Sequence, residues 1–103
     1  MKWADLCIKR VRYSPDRKRI VSVIAAEDNG DMLINTREFS RIEIVELLQT
    51  GKRVITVPRM EDNARKFRRG RKVDCYLRRG DWYIKSVADD DERDNLDELP
   101  EYQ

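Results

Sequence analysis

Sixteen of the twenty-three Ile, Val and Leu residues in this chain are β-branched, eight Ile and eight Val against seven Leu. Branching at Cβ restricts χ1 in a helix and suits the pleated, half-buried surface of a sheet. A chain whose apolar side chains are mostly of this kind is expected to build its core from strands. At 103 residues that core belongs to one domain. A chain of this length buries roughly two-thirds of the surface its unfolded form exposes, enough to hold a core without metal or disulfide staples.

The order of elements follows from local signals. Residues 4–13 read as a strand, with Leu6 and Ile8 on one parity and Val11 and Tyr13 on the other. Both pairs can face one side only if an extra residue intervenes, so a bulge is expected near Lys9 and Arg10. Ser14-Pro15-Asp16-Arg17 places Pro at the second position of a type I turn. Residues 19–27 form the return strand, and their near-continuous apolar run predicts a central strand covered on both faces. Asn29-Gly30 is a strong hairpin signal, and a short strand over 32–35 follows.

The next segment is a helix over 41–50. Ser40 and Glu43 have the spacing of a capping box, and Phe39 and Ile44 that of a hydrophobic staple. Ile44, Val45, Leu47 and Leu48 share a face, and Gly51 stands where a helix-terminating glycine belongs. A strand over 53–57 ends at Pro58. Residues 58–71 read as a charged loop, then strands over 72–78 and 82–87 are joined by a turn at Arg79-Gly80-Asp81. The expected fold is α+β, in the order β-β-β-α-β-β-β, with an antiparallel-rich sheet of about five or six strands packed by one helix.

Charge divides the chain. Residues 1–88 carry 21 basic and 12 acidic side chains, a net of +9, and residues 89–103 carry one basic and eight acidic, a net of −7. The expected organisation is a compact domain over 1–88 and an acidic tail over 89–103, and Leu96, Leu99 and Pro100 would dock that tail on the body. Leucines gain little in a purely solvated acidic run.

Several chemistries lack their residues. The chain has no histidine, which removes His-based acid–base catalysis, Ser-His and Cys-His nucleophile pairs and most zinc constellations. Neither common Gly-rich nucleotide fingerprint is present. No stretch approaches the ~18 apolar residues of a membrane span, and the N-terminus has no apolar signal core. Cys7 and Cys75 sit in strand-like runs and are expected to be buried reduced thiols, with a single disulfide as the alternative. Asp89, Asp90, Asp91 and Asp94 lack the Gly and terminal Glu of an EF-hand loop and read as a solvated run. No catalytic site, cofactor or metal is expected, and the expected compartment is the cytoplasm.

One resemblance is specific. Trp82-Tyr83-Ile84-Lys85-Ser86, then Asp89, Asp94-Asn95-Leu96 and Leu99-Pro100, resembles the C-terminal pattern of a family of small bacterial and phage domains of unknown function. Phe39-Ser40-Arg41 at the helix start and Gly51 at its end fit that family too. The similarity covers most of the chain and departs in the arginine-rich loop 58–71. It implies a bacterial or phage-borne cytoplasmic protein whose tail belongs to the fold, and it implies no activity.

The candidate binding residues are Arg65, Lys66, Phe67, Arg68, Arg69, Arg71 and Lys72, with Arg78 and Arg79 across the following strand. Guanidinium forks match phosphate, an aromatic within the cluster can stack on an unpaired base, and Gly70 would let backbone N–H groups approach a phosphate. The plainer alternative is a solvated loop whose charge is answered by the acidic tail. The expected function is accordingly a nucleic-acid-binding accessory module with the tail as a competitor. The alternative is a protein-interaction module with no nucleic-acid role.

Overall fold

The computed structural model describes residues 4–16, 19–30, 32–57, 59–60, 63–67, 70–86 and 99–102. The chain is α+β. Its elements are β1 (Leu6–Tyr13), β2 (Ile20–Asp28), β3 (Leu33–Ser40), α1 (Arg41–Gln49), β4 (Val54–Thr56), β5 (Arg59–Met60), β6 (Asn63–Phe67), β7 (Val73–Arg78) and β8 (Asp81–Ser86).

Four strands form the main sheet in the order β3-β2-β1-β4. The β1–β2 and β2–β3 pairs are antiparallel, whereas β4 runs parallel to β1, with Leu6, Cys7 and Ile8 opposite Val54, Ile55 and Thr56. The expected bulge is present: the β1–β2 register jumps between Ile8 and Arg10, leaving Lys9 as the extra residue. The jump brings Leu6, Ile8 and Val11 into one buried cluster, as a period-2 strand with one inserted residue requires.

Central placement also explains β2, where Ile20, Val23 and Ala25 join the main core and Ser22 and Ala26 are buried as well. The third strand is longer than its sequence predicts. Its second half, Thr36-Arg37-Glu38, has no apolar alternation because β3 is an edge strand, and pairing with β2 carries it as far as Ser40. Asn35 is left-handed at φ 54° beside the register shift between Ala25 and Glu27. Asn tolerates that region better than most residues.

The helix is built as its ends predict. Ser40 Oγ accepts from the Glu43 N–H and the Glu43 carboxylate accepts from the Ser40 N–H, completing the capping box. Gly51, at φ 88°, donates to Leu48 O while Lys52 donates to Leu47 O. This is a Schellman closure. Ile44 and Val45 are buried, with Leu47 and Leu48 packed at the edge of the core.

Two corrections concern the strands after the helix. Of these, β4 joins the main sheet but β7 and β8 do not extend it, because they form a separate antiparallel ladder. That ladder is tied to β4 by one bridge, Ile55 to Lys72, and by Thr56, which exchanges backbone hydrogen bonds with Gly70 and Arg71. The segment expected to be a loop contains a third ladder, β5 with β6. Helix and hairpin both cover the same face of the main sheet: Ile44 and Val45 of α1 and Val73 and Ile84 of the hairpin share one cluster with Ile8, Val11 and Val23. A smaller cluster, Ala4, Cys7, Ile55 and Val57, gathers separately. No helix among the described residues is long and apolar enough to cross a membrane.

Candidate nucleic-acid interface and the docked tail

The β7–β8 hairpin closes through Arg79 and Gly80, both at positive φ (51° and 82°), between the paired residues Arg78 and Asp81. Two consecutive left-handed residues give the type I′ geometry that matches strand twist. This turn sets the register, pairing Cys75 with Ile84 and Tyr76 with Tyr83. Alternation then divides the hairpin. Val73, Cys75, Trp82 and Ile84 belong to the core or pack against it, while Asp74, Tyr76, Arg78, Asp81, Tyr83 and Lys85 lie on the other parity.

Cations converge on the outward parity. The Tyr76 and Tyr83 rings stack with centroids 5.4 Å apart and planes 21° apart. The Arg19 guanidinium lies 5.3 Å from the Tyr83 centroid and that of Arg41 5.9 Å from it. The Lys85 ammonium lies 5.2 Å from the Tyr76 centroid. Arg19 also donates to the Tyr83 hydroxyl at 3.3 Å and forms an ion pair with Asp81. The hydrogen bond to Asp81 pushes the Arg19 guanidinium further above its ordinary value. Arg19, Arg41, Arg78 and Lys85 stand against Asp74 and Asp81 here, which leaves this aromatic face positive. The strands β2 and β8 and the start of α1 bring it together from distant parts of the chain.

The sequence-predicted basic residues occupy several places. Arg71 and Lys72 are exposed, on the segment that runs along β4. Arg79 is exposed at the hairpin turn and Arg78 is half-buried beside it. The six residues of β7 separate the two groups by about 20 Å at ~3.3 Å per residue, so they do not form one compact cluster. Arg65, Lys66 and Phe67 fall on β6, and Arg68 and Arg69 lie outside the described residues. The Gly70 and Arg71 amides do not cradle a phosphate. Gly70 N–H donates to Thr56 O at 2.8 Å and Arg71 N–H to Thr56 Oγ1 at 2.9 Å.

The end of the tail is docked on β1. Leu99 is only 6% exposed and belongs to the main core. Pro100 is exposed, and its carbonyl accepts the Val11 N–H at 3.1 Å. The Tyr102 N–H donates to Val11 O at 3.0 Å, making a parallel bridge between Val11 and Glu101. β4 pairs with β1 only as far as Ile8, and the tail supplies partners to β1 beyond it. Leu96 lies outside the described residues, as do the acids of 89–98.

Tyr102 fastens this edge. Its hydroxyl lies 2.7 Å from both Ser22 Oγ and Glu38 Oε2, and the Arg12 guanidinium sits 5.9 Å from its ring. The Tyr102 hydroxyl, with Ser22 and Arg12 behind it, holds the Glu38 carboxyl below its ordinary value. Burial pushes the Tyr102 hydroxyl up. One side chain thereby joins the tail to β2 and β3 across the sheet.

Other polar groups have structural duties. A cleft of about 440 Å³ beside the helix C-terminus is walled by Asp5, Glu27, Asp28, Arg37 and Lys52. Asp28 accepts from the Ala4 and Gly30 amides and Asp5 from the Arg53 amide, so two of its carboxylates cap backbone turns. Both cysteines are free thiols. Burial pushes the Cys7 thiol up to about 12 and also raises Cys75, the opposite of what a reactive thiolate needs.

The last described residues pair with β1, and the family comparison spans nearly the same length of chain. The chain belongs to the family described as Protein of unknown function (DUF3892). The match runs over residues 7–100, from within β1 to the tail residue whose carbonyl pairs with it. The DUF3892 description carries no activity, and no curated protein and no solved structure matches the chain.

The convergence of Arg19 and Arg41 on Tyr83 was not readable from sequence, because it requires packing of α1 against β8. The Tyr76–Tyr83 pair was not read either, because the expected turn Arg79-Gly80-Asp81 is one residue longer than the two-residue turn found. Arg79-Gly80 at the centre of the turn makes residue numbers summing to 159 face one another, and 76 and 83 do so.

Proposed function

We propose that this DUF3892 domain is a nucleic-acid-binding module. The observation that carries the reading is the positive aromatic face of the β7–β8 hairpin, where stacked Tyr76 and Tyr83 meet Arg19, Arg41 and Lys85. Phosphate recognition needs mobile or forked cations, and base recognition needs a flat π surface. Combining them on one partly exposed face is the usual composition of a sequence-tolerant nucleic-acid surface. Arg71, Lys72 and Arg79, all exposed, extend the positive field to both ends of the hairpin, and Arg65, Lys66, Arg68 and Arg69 add to the net charge of the body.

The acidic tail fits this reading as a competitor. It is anchored to the body at both ends, at buried Ser86 and at buried Leu99. The charge it carries between them is opposite to that of the body. A tether fixed at both ends keeps its acids at high effective concentration about the body, where they would compete with phosphate.

The test is fluorescence anisotropy of mixed-sequence oligonucleotides with the full chain. Affinity should fall steeply between ~50 and 200 mM salt, because each neutralised phosphate releases counterions. Arg71→Glu combined with Lys72→Glu should weaken binding, and Asp89→Asn, Asp90→Asn and Asp91→Asn together should strengthen it. Binding indifferent to salt and to both charge changes, or no binding by the folded chain, would overturn the reading in favour of a protein partner.

A further inference from the structure

A second feature adjoins the tyrosine pair. A groove of about 260 Å³ lies between the turn after β1, the start of β2 and the start of α1. Its apolar wall is Ile20, Val21 and Ile42, and its rim carries Arg19 and Arg41. Val21 is 40% and Ile42 50% exposed, so the wall opens to solvent. Single exposed apolar side chains are ordinary on a protein surface. Here they are gathered in a concavity whose two rim arginines are the same two that lie against Tyr83.

We infer that this groove receives one unpaired base, making the domain selective for single-stranded over duplex nucleic acid. The inference rests on the nucleic-acid reading above and adds the class of ligand to it. Three properties of the site support the assignment. The groove falls just below the ~300–1,000 Å³ of typical small-molecule sites, the scale of one flat heterocycle. Its lining is mainly apolar, Ile20, Val21 and Ile42 with Ser14 and Ser40 beside them, which suits the face of a base. Its rim is cationic at two points, which suits the phosphates on either side of an inserted base. Tyr83 and Tyr76 continue the track, offering a neighbouring base a π surface once the flexible Lys85 turns aside to a phosphate. A duplex cannot use the groove, because its bases are paired and stacked inside, and it can meet only the cations.

Neutral substitutions separate shape from charge. Val21→Thr keeps the β-branch and Ile42→Ser sits on an exposed helical turn, so the double variant should fold, which a urea midpoint checks. Tyr83→Leu is a second, independent variant that keeps an apolar side chain and removes the stack. Anisotropy is read with a fluorescent oligothymidine and with a mixed-sequence duplex of the same length, using the full chain at low salt. The single strand should bind at least about tenfold more tightly than the duplex, the order expected for one stacked base. Each variant should lose about that factor for the single strand and change duplex affinity by less than about twofold. Equal binding of both oligonucleotides, unchanged by either variant and still steeply salt-dependent, would overturn the base groove and leave the charge-based reading standing. No binding of either oligonucleotide by the folded wild-type chain would overturn both, and would leave the groove to an apolar side chain of a protein partner.

Discussion

Leu99→Ala tests the claim that the tail is an integral part of the sheet. Leu99 is 6% exposed and packs in the cluster that holds Val11, Ile44 and Ile84. Truncating a buried leucine to alanine costs about 2–5 kcal/mol, the spread reflecting how far the site can collapse. This site lies at the edge of the core, where neighbours can close in, so about 3 kcal/mol is expected. For a small domain with a total stability of about 5–15 kcal/mol, that is a large fraction. With a urea m value near ~1.5 kcal/mol per M, the unfolding midpoint should fall by about 2 M. The assay is urea denaturation followed by Trp fluorescence and far-UV circular dichroism, which should report coincident transitions. Tyr102→Phe serves as the internal comparison. It removes only the hydroxyl that meets Ser22 and Glu38 and should cost less than Leu99→Ala. A Leu99→Ala midpoint within about 0.3 M of wild type, at unchanged m, would refute the burial of Leu99 and the membership of the tail in the core.

Three further outcomes follow from local features. Glu38 and Glu43 both have carboxyls held below their ordinary value of 4.5, Glu38 chiefly by the Tyr102 hydroxyl and Glu43 chiefly by the Ser40 backbone N–H. A depressed folded value contributes stability above the unfolded value and loses it as pH falls through the folded one, so the urea midpoint should decline below about pH 4.5 and Glu43→Gln should flatten that decline. The Cys7 thiol, pushed up to about 12 by burial, should not react with a disulfide reagent at pH 8 in a Cys75→Ser background until denaturant is added. Arg79 holds φ 51° in the β7–β8 turn, so Arg79→Gly should stabilise the domain by about 0.5–1 kcal/mol in thermal or urea unfolding, and Gly80→Ala, at φ 82°, should destabilise it by about 1 kcal/mol.

Features that depend on neighbours in the chain were legible from the residues alone. The capping box at Ser40 and Glu43, the glycine closure at Gly51 and the bulge at Lys9 each arise from side-chain and φ/ψ preferences within a few residues, and the turn after β7 was legible in place, though Asp81 belongs to β8. The single helix followed from its capping signals and the prevalence of strands from the β-branched composition. The extent of β3 was not legible, because an edge strand needs no apolar alternation and takes its length from pairing with β2. The parallel placement of β4 was not legible either. Val54-Ile55-Thr56 is apolar enough for a buried strand in either direction, and the parallel crossover through α1 decides it.

The candidate site divides in the same way. Positive charge can be read along the chain, since it is a count, whereas the cross-strand tyrosines depend on Asp81 joining β8 and leaving a two-residue turn. The meeting of Arg19, Arg41 and Tyr83 is a long-range contact, created when α1 and β8 pack on one face of the sheet. The apolar groove at Ile20, Val21 and Ile42 is likewise long-range, lined together by the start of β2 and the start of α1. Local interactions along this sequence therefore determine which segments are strand, helix and turn, and how the charge is divided. The tertiary structure decides which edge of β1 the tail completes and which cations reach the tyrosines, because burying the apolar face of β7–β8 leaves its other face outward beside the helix.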